Sequence, residues 1–325
     1  MIISRTPLRI SFAGGGSDLP SYYLQHGGAV LSTTINKYIY IAVHRYFTPN
    51  QSLLKYSKSE LVSNNDEIQH PLFRECMKLV NVTGLDISSM ADVPAGTGLG
   101  SSSAFAVSLL NALHAYKHEA VSAEYLASTA CDIEINRLGD PIGKQDQYAA
   151  AYGGLNFIRF NYDGSVGVEK VVMDPAVKAQ LERNLILLYT GTKHSASAIL
   201  QEQGKEMRRL DKQQVMQKMV AMAYELKEAL EHNRIDDFGR ILNEGWLLKR
   251  SLANSISNPL VDTLYNMGME AGALGGKLLG AGGAGFMLFY CPEECQAEFR
   301  NKMSAYTEMP FRFENYGSKI IYMNE

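Results

Sequence analysis

Blocks of like charge, long apolar runs, paired cysteines and internal repeats are all missing from this chain. Lys and Arg number 31 against 34 Asp and Glu, a formal charge of −3, and no stretch concentrates either sign. That balance excludes the basic footprint of a nucleic-acid binder and of a membrane-surface patch. No apolar run approaches the ~20 residues that a spanning helix needs. The start, Met1-Ile2-Ile3-Ser4-Arg5, enters a strand-like pattern directly, so no leader is expected and the expected compartment is the cytoplasm. Cys76, Cys131, Cys291 and Cys295 are scattered, with no histidine or second pair beside them to complete a zinc site. Reduced thiols are the expected state. What remains is an ordinary globular composition, 46% hydrophobic over 325 residues, enough for one large or two medium domains.

The informative stretch is 92–107, Asp-Val-Pro-Ala-Gly-Thr-Gly-Leu-Gly-Ser-Ser-Ser-Ala-Phe-Ala-Val. Gly96, Gly98 and Gly100 permit backbone angles that a Cβ forbids, and any of Ser101, Ser102 and Ser103 is a candidate helix cap. The run 104–116 is apolar and reads as a buried helix. A glycine loop that opens into a helix gathers free N–H groups and the positive dipole end at one point, which suits phosphate. The plainer alternative is a tight loop capping a core helix. No Lys-Ser/Thr follows the glycines, so this is not a Walker loop.

Other stretches repeat the theme. A strand over 2–13 breaks at Gly14-Gly15-Gly16-Ser17-Asp18, a glycine loop with an acid free to accept hydroxyl hydrogen bonds. Strands over 28–47 are expected to turn at Ile35-Asn36-Lys37, and 50–66 is polar and irregular. A helix over 122–137 carries Asp132 and Glu134, and Asp146 follows in Gly143-Lys144-Gln145-Asp146-Gln147. Residues 199–252 read as helical. Near the end, Lys277-Leu278-Leu279-Gly280-Ala281-Gly282-Gly283-Ala284-Gly285 holds a Gly-x-Gly-x-x-Gly pattern. A helix-like stretch precedes it and a β-run follows, the reverse of a dinucleotide fold, so that reading is rejected.

Three of these stretches, in order along the chain, resemble the motifs of the GHMP kinases. The nucleotide-loop pattern Pro-x-x-x-Gly-Leu-Gly-Ser-Ser-Ala is met by Pro94, Gly98, Leu99, Gly100, Ser101 and Ser102, with Ser103 in place of the first Ala. The first motif is met around Pro7 and Arg9, and the third from Lys277 to Gly285, with Ala284 where Gly is common. The resemblance implies an α+β GHMP kinase fold. A ribosomal S5 domain 2-like N-terminal domain (1–175, ATP-binding) joins a ferredoxin-like C-terminal domain (176–325), with the active site between them.

It also implies an ATP-dependent sugar kinase using Mg²⁺. The loop Pro94, Gly96, Thr97, Gly98, Leu99, Gly100, Ser101, Ser102 and Ser103 is expected to bind ATP, with Ser102 and Glu134 on the metal. Asp146 orients the acceptor hydroxyl and takes its proton, and Arg9 offsets charge on the transferred group. Gly15, Gly16, Ser17, Asp18, Gly282 and Gly283 face the substrate. Lys193, His194 or Arg159 is expected to supply a cation for a substrate phosphate, although the family's Arg after Thr-Gly is replaced here by Lys193. The Gly-Gly-Gly-Ser-Asp start and the Asp-Gln pair look most like members that phosphorylate the anomeric hydroxyl of D-glycero-D-manno-heptose 7-phosphate. A kinase of another free sugar, of fucose or galactose type, is the alternative. A non-catalytic sugar sensor is a third. A small-molecule substrate is the expected partner, and a homodimer is left open.

Overall fold

The computed structural model describes residues 1–191 and 196–324. The first strand, β1 (Ile2–Ala13), alternates for four residues and is then buried on both faces. A short helix α1 (Pro20–His26) returns the chain to β2 (Gly28–Arg45). β2 runs unbroken through the expected turn. Its register against β1 slips there, with Tyr38 opposite Pro7 and Ile35 opposite Leu8. Asn36 and Lys37 are therefore extra residues in a bulge, which lets one long strand bend without reversing. The far end of the chain fills the gap, since Arg312 N–H donates to Asn36 Oδ1 at 2.7 Å.

The polar stretch expected to be irregular holds a small hairpin, β3 (Ser52–Lys55) and β4 (Ser59–Val62). Helix α2 (Pro71–Val80), strand β5 (Leu85–Ala91) and the apolar helix α3 (Ser101–Tyr116) follow. Gly100 occupies the N-cap of α3 in a left-handed conformation, so the three serines stand inside the first turn with their hydroxyls free for other partners. Helix α4 (Ala123–Cys131) is continued by a π-helical turn (Asp132–Arg137) instead of a further α-turn. Helix α5 (Gln145–Tyr152) and strands β6 (Leu155–Phe160) and β7 (Val166–Lys170) complete this half.

Helix α6 (Pro175–Arg183) leads into β8 (Leu185–Tyr189). The long helical pattern divides into α7 (Ala196–Glu206), α8 (Leu210–Glu231) and α9 (Asp236–Arg250). The second break falls at Asn233, which takes a positive φ of 58°, a usual helix stop. Then come α10 (Pro259–Glu270), β9 (Gly275–Leu278), β10 (Phe286–Tyr290), α11 (Gln296–Lys302), β11 (Thr307–Glu308), β12 (Phe313–Glu314) and β13 (Lys319–Met323).

These strands form two sheets. The larger has nine strands, ordered β13-β1-β2-β5-β3-β4, with β6 and β12 also paired to β2 and β7 to β6. The smaller is antiparallel in the order β11-β8-β10-β9, the ferredoxin-like arrangement. The last strands, β12 and β13, return to the larger sheet. Aromatic rings join the two halves. Phe12 of β1 meets Phe238 of α9 edge-on at 5.0 Å, and Phe238 meets Tyr290 of β10 at 5.4 Å. Such pairs add about 0.5–1.5 kcal/mol each beyond their buried area. Among the described residues no helix is long and apolar enough to cross a membrane, and no three metal-ligating side chains cluster.

Candidate active site

The phosphate-loop glycines lie against the third glycine loop. A Cβ on Gly98 (φ +83°) would come within 2.4 Å of the Leu279 carbonyl oxygen, and one on Gly280 within 2.5 Å of Gly98 Cα. No side chain fits between them, so two backbone segments form one wall of a cavity of about 230 Å³. The first turn of α3 opens into that cavity through Ser101, Ser102 and Ser103. Its unpaired backbone donors and dipole favour an anion there.

Beside the loop, Arg9 is 4% exposed and makes a two-pronged bond to Asp146, Nε to Oδ1 and Nη2 to Oδ2, both 2.8 Å. Its remaining arm, Nη1, donates to the Gly98 carbonyl at 2.6 Å. One guanidinium therefore fixes the loop and the acid together, using the planar fork that arginine alone supplies. Gly100 makes room for this pair, since a Cβ there would lie 3.2 Å from both Arg9 Cγ and Asp146 Oδ2.

The π-helical turn aims Glu134 inward, where it is fully buried. Ser102 Oγ donates to Oε1 at 3.0 Å and Gln147 Nε2 to Oε2 at 2.7 Å. Burial pushes its carboxyl up to about 7 despite these donors. A serine hydroxyl and a buried carboxylate are hard oxygen donors, the set that magnesium takes together with phosphate oxygens.

At the opposite wall, Asp18 is 3% exposed. It accepts from Gly16 N–H at 3.0 Å and Gln145 N–H at 3.2 Å. Burial, then the neighbouring Asp146, raises its pKa.

Comparison with known proteins matches residues 68–154 to the GHMP kinases N-terminal domain and 226–306 to the GHMP kinases C-terminal domain. The chain is a GHMP kinase. It is accordingly an ATP-dependent phosphotransferase with an alcohol group as acceptor. It is 29% identical over 301 residues to a D-glycero-alpha-D-manno-heptose 7-phosphate kinase of Campylobacter jejuni, covering 89% of each chain. It is 27% identical over 337 residues to a bifunctional fucokinase/GDP-fucose pyrophosphorylase of Arabidopsis thaliana, covering 95% of this chain and 32% of that protein. In structure it matches a D-glycero-D-manno-heptose 1-phosphate kinase from Bacteroides thetaiotaomicron over 100% of both chains, with a TM-score of 0.82 and 26% identity.

In this GHMP kinase the expected residues divide sharply. Arg9, Gly16, Asp18, Gly96, Gly98, Gly100, Ser101, Ser102, Ser103, Glu134 and Asp146 meet in one cavity. Pro94, Thr97 and Leu99 shape the loop from behind. Thr97 Oγ1 bonds the Pro94 carbonyl at 3.0 Å, and Leu99 is fully buried. Ser17 corrects its expectation. Its hydroxyl is fully buried, donating to the Ala29 carbonyl and accepting from Ala29 N–H, both 3.1 Å. A hydroxyl so engaged ties the glycine loop to β2 and has no access to a substrate. Gly15 backs the loop beside Ser11. Gly282 and Gly283 pack on the turn at Ile256, so Gly280 and Ala281 are the residues of that loop facing the cavity. Arg159 is exposed on β6, where it faces Ala29 and Gly167 in register and stands outside the cavity. Lys193 and His194 lie outside the described residues.

Three residues on the cavity wall were not singled out from the sequence. Lys249 of α9 donates to the Gly280 carbonyl, and burial, then Arg9, brings its pKa down to about 8. Gln203 of α7 is 1% exposed, and neither its Nε2 nor its Oε1 has a partner among the described residues. Gln145 donates from Nε2 to Asp18 at 3.3 Å, while its Oε1 is buried without a partner among the described residues. Gln203 and Lys249 sit in helical stretches whose pattern says only that one face is buried, and Gln145 is an unassigned position within the Gly143–Gln147 stretch. The third motif's Lys277 turns out to be a tie between sheets, donating to the Ser11 and Phe12 carbonyls at 2.7 and 3.0 Å.

Proposed function

We propose that this GHMP kinase transfers the γ-phosphoryl group of ATP to the anomeric hydroxyl of D-glycero-D-manno-heptose 7-phosphate, giving the 1,7-bisphosphate for nucleotide-activated heptose and surface polysaccharide. The observation that carries the reading is the Arg9–Asp146 pair, set between the phosphate loop and Asp18 in one cavity. Similarity to the Campylobacter heptose 7-phosphate kinase over 89% of both chains supports the choice of sugar.

Phosphoryl transfer is mainly positioning and charge neutralisation. In this reading the loop 96–103 cradles the phosphates, and Ser102 and Glu134 would hold Mg²⁺. A bound magnesium ion neutralises phosphate charge. Arg9 faces the transferred group from the other side. Asp146 orients the acceptor hydroxyl and takes its proton, and an anomeric hydroxyl is more acidic than an ordinary alcohol. Asp18 accepts from a further sugar hydroxyl. The two working halves are residues 1–175 and 176–325, with the β12 and β13 strands lent back to the first.

A second reading, a kinase of an unphosphorylated sugar, is favoured by the 27% identity to the fucokinase protein over 95% of this chain. ADP release with Mg²⁺-ATP across heptose 7-phosphate, free heptose, mannose, fucose and galactose decides between them. The proposal expects strong turnover only with the 7-phosphate. Turnover with an unphosphorylated sugar moves the protein to the second reading, and no turnover with any of them overturns both.

A further inference from the structure

We propose that the side-chain amides of Gln203 and Gln145 read neighbouring hydroxyl groups of the acceptor, so that α7 sets which sugar is accepted. This rests on the reading above, which places the acceptor on the Asp18 side of the cavity.

Three amide atoms carry the inference: Nε2 and Oε1 of Gln203 and Oε1 of Gln145. Each is buried without a hydrogen-bond partner among the described residues, and both side chains line the same cavity as Asp18 and Asp146. Buried polar atoms are nearly always paired, so three orphans in one cavity require an explanation. Packing, not hydrogen bonding, holds Gln203 in place. The glycine loop approaches so closely that a Cβ on Gly16 would stand 2.2 Å from Gln203 Nε2 and 3.0 Å from Met216 Cε. The loop backbone thus packs directly on the amide at a wall of the cavity that Gly16 and Gln203 both line.

The chemistry of the unpaired set defines the ligand. An amide offers a donor and an acceptor side by side, and two adjacent hydroxyls offer the same pair in return. Asp18 adds a carboxylate acceptor on the same wall. A second carboxylate arriving as part of the acceptor would meet Asp18 and the Gln145 carbonyl oxygen, both repulsive. Ser197, Leu200 and Gln203 recur every three residues on the cavity face of α7, so a polar–apolar–polar strip lies along the wall. That strip suits a ring with hydroxyl edges and an apolar face. The selected class is a polyhydroxylated ring.

The test is Gln203→Met, which keeps length and removes both polar atoms. KM for heptose 7-phosphate is expected to rise at least tenfold, while KM for Mg²⁺-ATP stays within about twofold. The melting temperature of the free protein is expected to hold or rise, because a buried unpaired amide has been removed. The rise in melting temperature that heptose 7-phosphate produces in the wild type is expected to vanish. An unchanged sugar KM overturns the inference. So does a lower melting temperature of the free protein with the sugar-induced rise intact, since the amide is then structural. If the wild-type protein neither turns over nor is stabilised by any sugar of the panel, the acceptor reading falls and takes this inference with it. Wild-type turnover with an unaltered variant sinks the inference alone.

Discussion

The two walls of the cavity are built differently. On the side proposed for the nucleotide the charged groups Arg9, Asp146 and Glu134 are all engaged in the free protein. Arg9 bonds Asp146 and the Gly98 carbonyl, and Glu134 holds Ser102 and Gln147. On the side proposed for the acceptor, among the described residues, Gln203 has no partner for either amide atom and Gln145 lacks one for Oε1. The difference reflects what each wall must recognise. Phosphate is met by backbone and fixed charges, which can be set in advance. A particular sugar is met by directional hydrogen bonds that are completed only when its hydroxyls arrive.

The comparison breaks most severely at the joint between the walls. Asp146→Asn removes the charge that faces Arg9 and the proposed proton acceptor together. Turnover should fall by about 10³-fold in an ADP-release assay, within the range usual for general acid–base groups. Near-normal turnover would mean that the hydroxyl loses its proton without Asp146.

Glu134→Gln attacks the nucleotide wall alone. Loss of one proposed magnesium contact should lower kcat/KM by about 10²-fold and raise the Mg²⁺ requirement, with little change in sugar KM. The pH dependence sharpens this. Glu134 has its pKa raised to about 7 in the fold, so the native state keeps a proton that the unfolded chain has already lost. Stability of the free protein should therefore fall as pH rises from about 4.5 to 7 and level off above, at up to about 1.4 kcal/mol per pH unit. Apparent Mg²⁺ affinity should run the opposite way, rising with pH to about 7, since the metal needs the carboxylate. Thermal melts and Mg²⁺ titrations between pH 5 and 8 read both trends; Glu134→Gln should abolish the Mg²⁺ trend and flatten the stability trend, leaving the contribution of buried Asp18, whose pKa is also raised.

The smallest kinetic effect belongs to Ser17→Ala. The hydroxyl bridges the glycine loop to β2 and has no access to the cavity. Its loss should cost about 1–3 kcal/mol of stability and leave both KM values unchanged. A raised sugar KM with an unchanged melting temperature would return Ser17 to the acceptor wall.

The same contrast explains what could be read from the sequence. The glycines at alternate positions and the serines after them are legible from local backbone needs, whereas Arg9, Glu134 and Asp146 are legible only through the resemblance to the family's motifs. Ser17 sat in such a motif, yet the loop turns its hydroxyl toward Ala29, which local spacing does not encode. Gln203 and Lys249 reach the cavity only because α7 and α9 pack where they do. Their neighbours in sequence carry only an amphipathic pattern. The bulge at Asn36 looks like a turn in the sequence because its partner, Arg312, lies 276 residues away. The return of β13 to β1 is likewise long-range.

The most direct test of the account follows the phosphate itself. Wild-type protein, Mg²⁺-ATP and heptose 7-phosphate are mixed, and the product is observed by phosphorus NMR. The account predicts stoichiometric ADP and a second phosphate resonance coupled to the anomeric proton. A product phosphorylated at another carbon, or no new phosphate ester at all, would contradict it.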